Sequence, residues 1–228
     1  MKTKLFSALT ITLISASAAF ADSITSTNGF GPLAGATFSG TGIPNNPVAI
    51  TQITDTTSSG SIDNITLGLS ATSRFPNPPV GTAYPNNGAG TFYVPAGSEA
   101  SPVGDAAWNY DFYINLVDTS GATYLFDLVI NGPNSLSNTI TLNKTSTTGI
   151  GQDSENLGFT GVLPGFNPNT IGQYTFELEV FNSNGGSVGT DTLTVNTVPD
   201  TTSTALLLGL GLGSLALVGF AKKCLQTA

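Results

Sequence analysis

The chain has no histidine and very little cysteine. Its 228 residues include no histidine and a single cysteine, Cys224, and only 9% of them are charged. The absence of histidine excludes Ser-His-Asp and Cys-His nucleophilic sites and nearly all zinc sites, because these depend on imidazole. Cys224 lies beyond a long apolar run near the C-terminus. The part of the chain before that run therefore contains no disulfide, and packing must hold it together.

Positive charge is also scarce. All 14 acidic residues lie between residues 22 and 200, where Arg74 and Lys144 are the only basic ones, so this part carries a formal charge of −12. Such a surface repels phosphate backbones and anionic lipid, and we expect neither nucleic acid nor a peripheral membrane surface as a partner. Divalent cations and cationic polymers match its charge.

An apolar segment precedes this acidic part. A basic N-terminus is followed by an apolar run over residues 5–14 and by small residues up to Ala19-Phe20-Ala21. This order predicts a secretory signal peptide over residues 1–21, recognised by the Sec export machinery, with Ala19 and Ala21 at the cleavage site. Asp22 would be the first mature residue.

A second apolar segment follows the acidic part. Residues 203–221 carry no charge and have no polar face, unlike a helix that packs on a soluble core. As a helix they span about 28 Å, enough to cross a hydrocarbon core of roughly 30 Å. Lys222 and Lys223 follow directly and would lie in the cytoplasm, leaving the acidic part outside. We therefore predict a single-pass membrane precursor with a transmembrane helix over 203–221.

Val198-Pro199-Asp200 stands just before this helix. The order of this tripeptide, a short spanning helix and a basic pair resembles the PEP-CTERM class of sorting signals, most closely its VPDSG-CTERM branch, although Thr201 and Thr202 stand where that branch usually has Ser-Gly. The resemblance implies that residues 198–228 form a sorting tail whose helix an exosortase-type enzyme removes. An ordinary single-span anchor is the alternative. Both interpretations export the same domain.

The exported part, residues 22–197, shows a two-residue apolar period and no helical one. The period is clearest over residues 108–116, 124–130 and 174–180. Shorter strands are predicted at 48–54, 62–69, 91–94, 139–143 and 190–195. Strands of this length, separated by Gly, Asn and Pro turns, predict one all-β domain, an antiparallel β-sandwich of Ig-like or jelly-roll-like architecture.

Two details of connectivity also follow from the sequence. Asp118-Thr119-Ser120-Gly121 is a tight-turn sequence, and it predicts that strands 108–116 and 124–130 form a hairpin. Residues 145–169 are mainly polar with scattered apolar positions, and we expect a long loop folded over one end of a sheet.

Carboxylates are the side chains that could carry chemistry here. Glu177 and Glu179 share a strand face and could approach Asp191, as a glycosidase pair would, although alternation favours a solvated outer face for both. Asp153 and Glu155 lie in the predicted loop and offer the hard oxygen ligands that Ca²⁺ takes. Apart from this Ca²⁺, we expect no cofactor.

Three aromatic residues could form a platform for a sugar. Trp108 and Tyr110 fall on the apolar face of their strand, and we expect them in the core, whereas Tyr113 points the other way as a candidate exposed ligand contact. The sequence thus predicts a non-enzymatic protein, secreted or displayed at the cell surface or in the extracellular matrix. The alternative is a carbohydrate-binding or Ca²⁺-dependent adhesive β-sandwich with exopolysaccharide as its partner.

Overall fold

The computed structural model describes residues 22–74, 83–98, 104–142 and 149–199. The predicted signal peptide over 1–21 and the predicted transmembrane helix over 203–221 lie outside these ranges. Within the described ranges, no helix is long and apolar enough to cross a membrane.

The described ranges fold into β-strands joined by turns, with one short 3₁₀ turn at Pro133–Ser135. The strands are β1 (Ser23–Gly31), β2 (Val48–Thr56), β3 (Ile62–Ser73), β4 (Thr91–Pro95), β5 (Trp108–Val117), β6 (Tyr124–Asn131), β7 (Ser137–Leu142), β8 (Gly149–Glu155), β9 (Gly172–Asn182) and β10 (Ser187–Val198). Every strand predicted from the apolar period overlaps one of these.

The strands form two five-stranded sheets. The first has the order β1-β2-β3-β5-β8 and the second the order β4-β10-β9-β6-β7. Neighbours are antiparallel throughout, except that β4 runs parallel to β10. The prediction of an all-β fold of the sandwich class is confirmed.

The predicted hairpin of β5 and β6 is wrong. β5 pairs with β3 and β8, whereas β6 pairs with β9 and β7 in the other sheet. The turn between them is held by Asp63 of β3, whose Oδ1 accepts the N–H groups of Thr119 at 2.7 Å and Ser120 at 3.0 Å. Because Asp63 holds this turn, the chain crosses there from one sheet to the other. The apolar faces of β5 and β6 therefore lie on opposite sides of one core and not next to each other in one sheet.

Part of the predicted loop over 145–169 is a strand. Residues 149–155 form β8, which pairs with Tyr110–Leu116 at the edge of the first sheet. Its sequence, Gly-Ile-Gly-Gln-Asp-Ser-Glu, has no apolar alternation because an edge strand depends on backbone hydrogen bonds more than on burial. The remaining expectation is confirmed, since Leu157, Val162 and Leu163 are buried against the core.

The main core lies between the sheets and is rich in aromatic residues. Trp108 of β5 packs edge-on against Tyr174 and Phe176 of β9, with ring centroids 5.8 and 6.2 Å away. Tyr110 stacks on Phe176 at 5.0 Å. Burial of such rings stabilises a fold by roughly 1.5–3 kcal/mol each. The expected core positions of Trp108 and Tyr110 are confirmed.

A second, smaller core covers the outer face of the first sheet. The segment 32–47 folds back over that face and buries Leu33, Ala36 and Phe38. Gln152 of β8 holds the segment, because its Oε1 accepts the N–H groups of Thr37 and Phe38, each at 2.8 Å. Phe38 has a positive φ of 48°, a conformation that costs an ordinary residue energy and is held here by these contacts.

Asn156 ties the loop after β8 to the start of β5. Its Oδ1 accepts the N–H groups of Ala106 and Gly158, and its Nδ2 donates to the carbonyls of Ala106 and Trp108 and to Asn109 Oδ1, at 2.8 to 3.0 Å. The side chain is completely buried. Its removal would leave several buried polar groups without partners.

We predict that Asn156→Ala lowers the free energy of unfolding by about 3 kcal/mol, because each orphaned buried group costs roughly 1–3 kcal/mol. Urea unfolding followed by the fluorescence of Trp108, the single tryptophan, measures this. The control Asn169→Ala changes an exposed asparagine and should shift stability by less than about 0.5 kcal/mol. Equal effects of the two variants would contradict the role of the Asn156 side chain in holding the loop after β8 to the start of β5.

Candidate functional site

The predicted sorting signal begins inside the last strand. β10 continues past its predicted end at Val195 to Val198, whose carbonyl accepts the N–H of Ala96 at 2.8 Å. Pro199 follows and is exposed. The other residues of the predicted signals, Asp200, Lys222, Lys223, Ala19 and Ala21, lie outside the described ranges. The folded domain therefore reaches the first residue of the tripeptide.

Tyr113 is not an exposed contact. It points to the outer face of the first sheet, as alternation predicts, but the segment 32–47 covers that face and leaves the side chain only 3% exposed. Its ring packs with Leu33, Phe38 and Val48. The prediction was wrong because period-two alternation shows which face a residue occupies, whereas what covers that face depends on distant segments.

Asp153 and Glu155 lie on the edge strand β8 and not in a loop. Both are partly buried and project from the same side of the strand. Asp153 Oδ1 accepts the N–H of Ser154 at 2.8 Å, and Glu155 Oε2 accepts the hydroxyl of Tyr110 at 2.8 Å. Within the described parts of the chain, no three acidic, histidine or cysteine side chains group as metal ligands. Ca²⁺ binding here stays a prediction.

Glu177 and Glu179 do not meet Asp191. On β9 the two glutamates lie opposite Thr192 and Thr190, whereas Asp191 lies opposite Leu178 and shares its inward face. The pKa of Glu179 is raised, first by burial and then by the negative charges of Glu177 and Asp127. These glutamates therefore form an acidic outer surface, and neither of them lies beside Asp191.

A cleft of about 380 Å³ opens at one side of the sandwich, between edge strand β1 and strand β10. Strand β4 pairs only with Thr194–Val198, so among the described residues the first half of β10 has no strand beside it there. Strands β1, β2 and β10 and the turn at Gly88–Ala89 line the cleft. It is the strongest candidate site because it combines a concave shape with a buried carboxyl group.

A short polar network forms the floor of this cleft. The Thr51 hydroxyl lies 2.9 Å from Asp191 Oδ1, 3.1 Å from Asn28 Oδ1 and 3.3 Å from the carbonyl oxygen of Thr190. The Thr51 hydroxyl has one proton and so donates one hydrogen bond, and Asp191 Oδ1 is its nearest acceptor. The remaining oxygens can accept hydrogen bonds from water or from the hydroxyl groups of a ligand.

Among the described residues, Asp191 is the only acid that lines the cleft. The side chain is 4% exposed, and its Oδ2 is buried without a hydrogen bond of normal geometry. Burial raises the pKa of Asp191 to about 7, against the opposing effect of Thr51 and the N–H groups of Thr192 and Leu69. A lone carboxyl group can bind a ligand, but it does not supply the second carboxylate that glycoside hydrolysis needs.

Three further acids of the described residues are buried in other parts of the sandwich, and one of them, Asp105, pairs with Arg74 at 2.7 Å. Asp111 lies on the outer face of β5, where burial raises its pKa to about 7 while Ser154 and Thr72 act to lower it. Asp63 lies on the core side of β3. Burial acts to raise the pKa of Asp63, but donors from Ser120, Thr119 and Tyr124 outweigh it and hold the pKa below its ordinary value. Asp63 is therefore a structural anchor.

Comparison with models of protein families, with curated proteins and with solved structures finds no match to this chain. Its function must therefore be argued from the sequence signals and from the site itself.

The cleft and its floor are not predicted by the apolar pattern of the sequence. A signal was present, because Asp191 lies on the same face of its strand as Leu193 and Val195, and Asp63 lies on the same face as Ile65. An acid at an inward position of an alternating strand indicates a buried carboxyl group. The neighbours Thr51 and Asn28 had no such signal, because their contact with β10 joins strands far apart in sequence.

We predict that Asp191→Asn becomes more stable relative to the wild type as pH rises. Folding raises the pKa of Asp191 from 3.8 to about 7. The folded protein therefore binds the extra proton between these values, and its stability falls as pH rises through them. Asparagine has no such penalty. Urea unfolding should show the variant's advantage growing by about 2 kcal/mol between pH 5 and 8.

The exposed neighbour Thr192 provides the control. Thr192→Ser leaves the titratable groups unchanged, so its stability relative to the wild type should not vary with pH. An advantage of Asp191→Asn that stays constant or shrinks with rising pH would contradict a buried carboxyl group with a raised pKa.

Proposed function

We propose that the chain is the precursor of a non-enzymatic, exported β-sandwich protein of the cell surface or extracellular matrix. Sec export delivers it, and its C-terminal tail anchors it in the membrane until an exosortase-type enzyme processes it. One observation carries this proposal. β1 begins at Ser23, next to the predicted first mature residue Asp22, and β10 ends at Val198, where the sorting tripeptide begins. The folded domain thus lies between the predicted signal peptide and the predicted sorting tail, the two segments that are expected to be removed.

The chemistry of the described residues supports a non-enzymatic role. Glu177 and Glu179 lie on the opposite face of their sheet from Asp191, so the buried carboxyl group of the cleft has no second carboxylate from this pair beside it. Trp108 and Tyr110 are used in the core. The finer architecture, Ig-like or jelly-roll-like, is part of the same proposal, favoured by two five-stranded sheets with crossovers between them.

The intact mass of the protein recovered from cells tests this function. We expect a species that begins at Asp22 and ends near Pro199 or Asp200. Pro199→Ala and Asp200→Ala alter the tripeptide after Val198, the last residue of β10, and should retain the tail, whereas the control Thr204→Ala should be processed normally. A wild-type protein that keeps Lys222 and Lys223 would instead establish a plain membrane anchor.

The cleft favours a second candidate function, that of a carbohydrate-binding module. Its floor offers oxygen acceptors at Thr51, Asn28 and Asp191, and its wall offers the ring of Phe30, a combination suited to sugar hydroxyls and an apolar sugar face. The Ca²⁺-dependent adhesive form of this function rests on Asp153 and Glu155.

Isothermal titration calorimetry distinguishes these functions. If the cleft binds exopolysaccharide, titration should release heat with the wild type and lose most of it with Asn28→Ala, while Asn184→Ala in an exposed turn should behave as the wild type. Ca²⁺ heat that disappears in Glu155→Gln would support the adhesive form. The absence of heat with either ligand would leave the structural role alone.

A further inference from the structure

The edge strand β1 lacks the features that normally keep edges from pairing. Its nine residues, Ser-Ile-Thr-Ser-Thr-Asn-Gly-Phe-Gly, contain no charge and no proline, and seven of them, Ser23–Gly29, are exposed. It pairs with β2 in continuous register without a bulge. Natural sheets block such edges with lysine, proline, bulges or covering segments, because the free N–H and C=O groups form a template for another strand.

Each of the other edges contacts another segment of the chain. The edge of β4 is covered by the turn before it, where the N–H of Tyr93 donates to the carbonyl of Pro85 at 2.9 Å. On β8, Ser39 Oγ donates to the backbone carbonyl of Gln152 at 2.6 Å. The loop after β8 lies against β7, whose Asn138 donates to the carbonyls of Gly161 and Val162. Among the described strands, β1 is the edge without such a contact.

We propose that β1 pairs with β1 of a second copy of this chain, antiparallel about a two-fold axis at Thr27, so that the two first sheets become one continuous ten-stranded sheet. In this register Thr27 faces Thr27 of the other copy, Ser26 faces Asn28, and Thr25 faces Gly29. Ile24, which is 45% exposed, faces Phe30, and symmetry forms this contact twice. The strand is thus self-complementary, as a two-fold interface requires.

The contact between Ile24 of one copy and Phe30 of the other would cover apolar surface that a single copy leaves partly exposed. Ile24 and Phe30 share the inward face of β1, since they lie opposite Asp55 and the core residue Ala49 of β2. Phe30 already packs on Phe92, with ring centroids 6.0 Å apart, but it remains partly exposed. The Ile24 side chain of the second copy would cover the exposed part, because cross-strand apolar pairs stabilise antiparallel sheets.

Charge also permits this pairing. Residues 22–200 carry a formal charge of −12, yet β1 brings no charged side chain into the new ladder. Asp22, the acid that precedes β1 in sequence, would lie at opposite ends of the two strands, roughly 30 Å from its counterpart, well beyond the Debye length of about 8 Å at physiological salt. A nine-residue antiparallel ladder adds about 8–10 backbone hydrogen bonds.

Disulfide trapping in the full chain tests the register. All variants carry Cys224→Ser to remove the native cysteine. Thr27→Cys places two sulfur atoms on the axis, where facing Cα atoms are about 4.5–5.5 Å apart, within the range a disulfide spans. We expect mild oxidation of cells to convert most of this variant to a reducible dimer.

Thr25→Cys is the matched control on the same exposed strand. Its two sulfur atoms would lie more than about 13 Å apart and should not cross-link. Co-expression with Gly29→Cys should restore a dimer, because Thr25 faces Gly29 and a side chain at Gly29 meets no atom within 4 Å. Equal cross-linking of Thr25→Cys and Thr27→Cys, no cross-linking at Thr27, no dimer from the mixed pair, or a Thr27 adduct with a different protein would each overturn the proposal.

Discussion

The packing of β5 against β9 is the contact on which the whole domain depends. The part of the chain before the apolar C-terminal run has no cysteine, so no covalent link joins the two sheets. Trp108 and Tyr110 from one sheet meet Tyr174 and Phe176 from the other, with ring centroids 5.0 to 6.2 Å apart. Aromatic burial of this kind replaces the inter-sheet disulfide that antibody-type domains use. It also explains why these rings are not available as a sugar platform.

Buried polar groups then fix the connections that apolar packing leaves undetermined. Asp63 holds the crossover between the sheets, Asn156 holds the loop after β8, and Gln152 holds the segment over the outer face. Each of them accepts backbone N–H groups that a turn or loop leaves without partners. Because such groups are costly to bury unpaired, each anchor selects one path for the chain. Asp191, which faces the cleft and lacks a full set of donors, differs from these anchors.

Much of the strand pattern could be predicted from the sequence, because alternation of apolar residues is a local signal. Strand β5 was predicted within one residue, since Trp108 to Leu116 alternate strictly. Strand β8 was missed because an edge strand of glycine and polar residues has no such period. The β5–β6 hairpin was wrong because nearness in sequence does not decide whether two strands share a sheet. Of the candidate site, only the inward-facing position of Asp191 could be predicted from the sequence.

The sequence by itself determined the strand character, the acidity of residues 22–200 and the two apolar segments that flank them, because all three are local properties of composition and period. The tertiary structure alone decided which strands are neighbours, that Tyr113 is covered, that Thr51 meets Asp191, and that no described segment covers the edge of β1, whereas each of the other described edges contacts one. Each of these depends on contacts between residues tens of positions apart. Such contacts follow from how two complete sheets close on one core, which no short window of sequence contains.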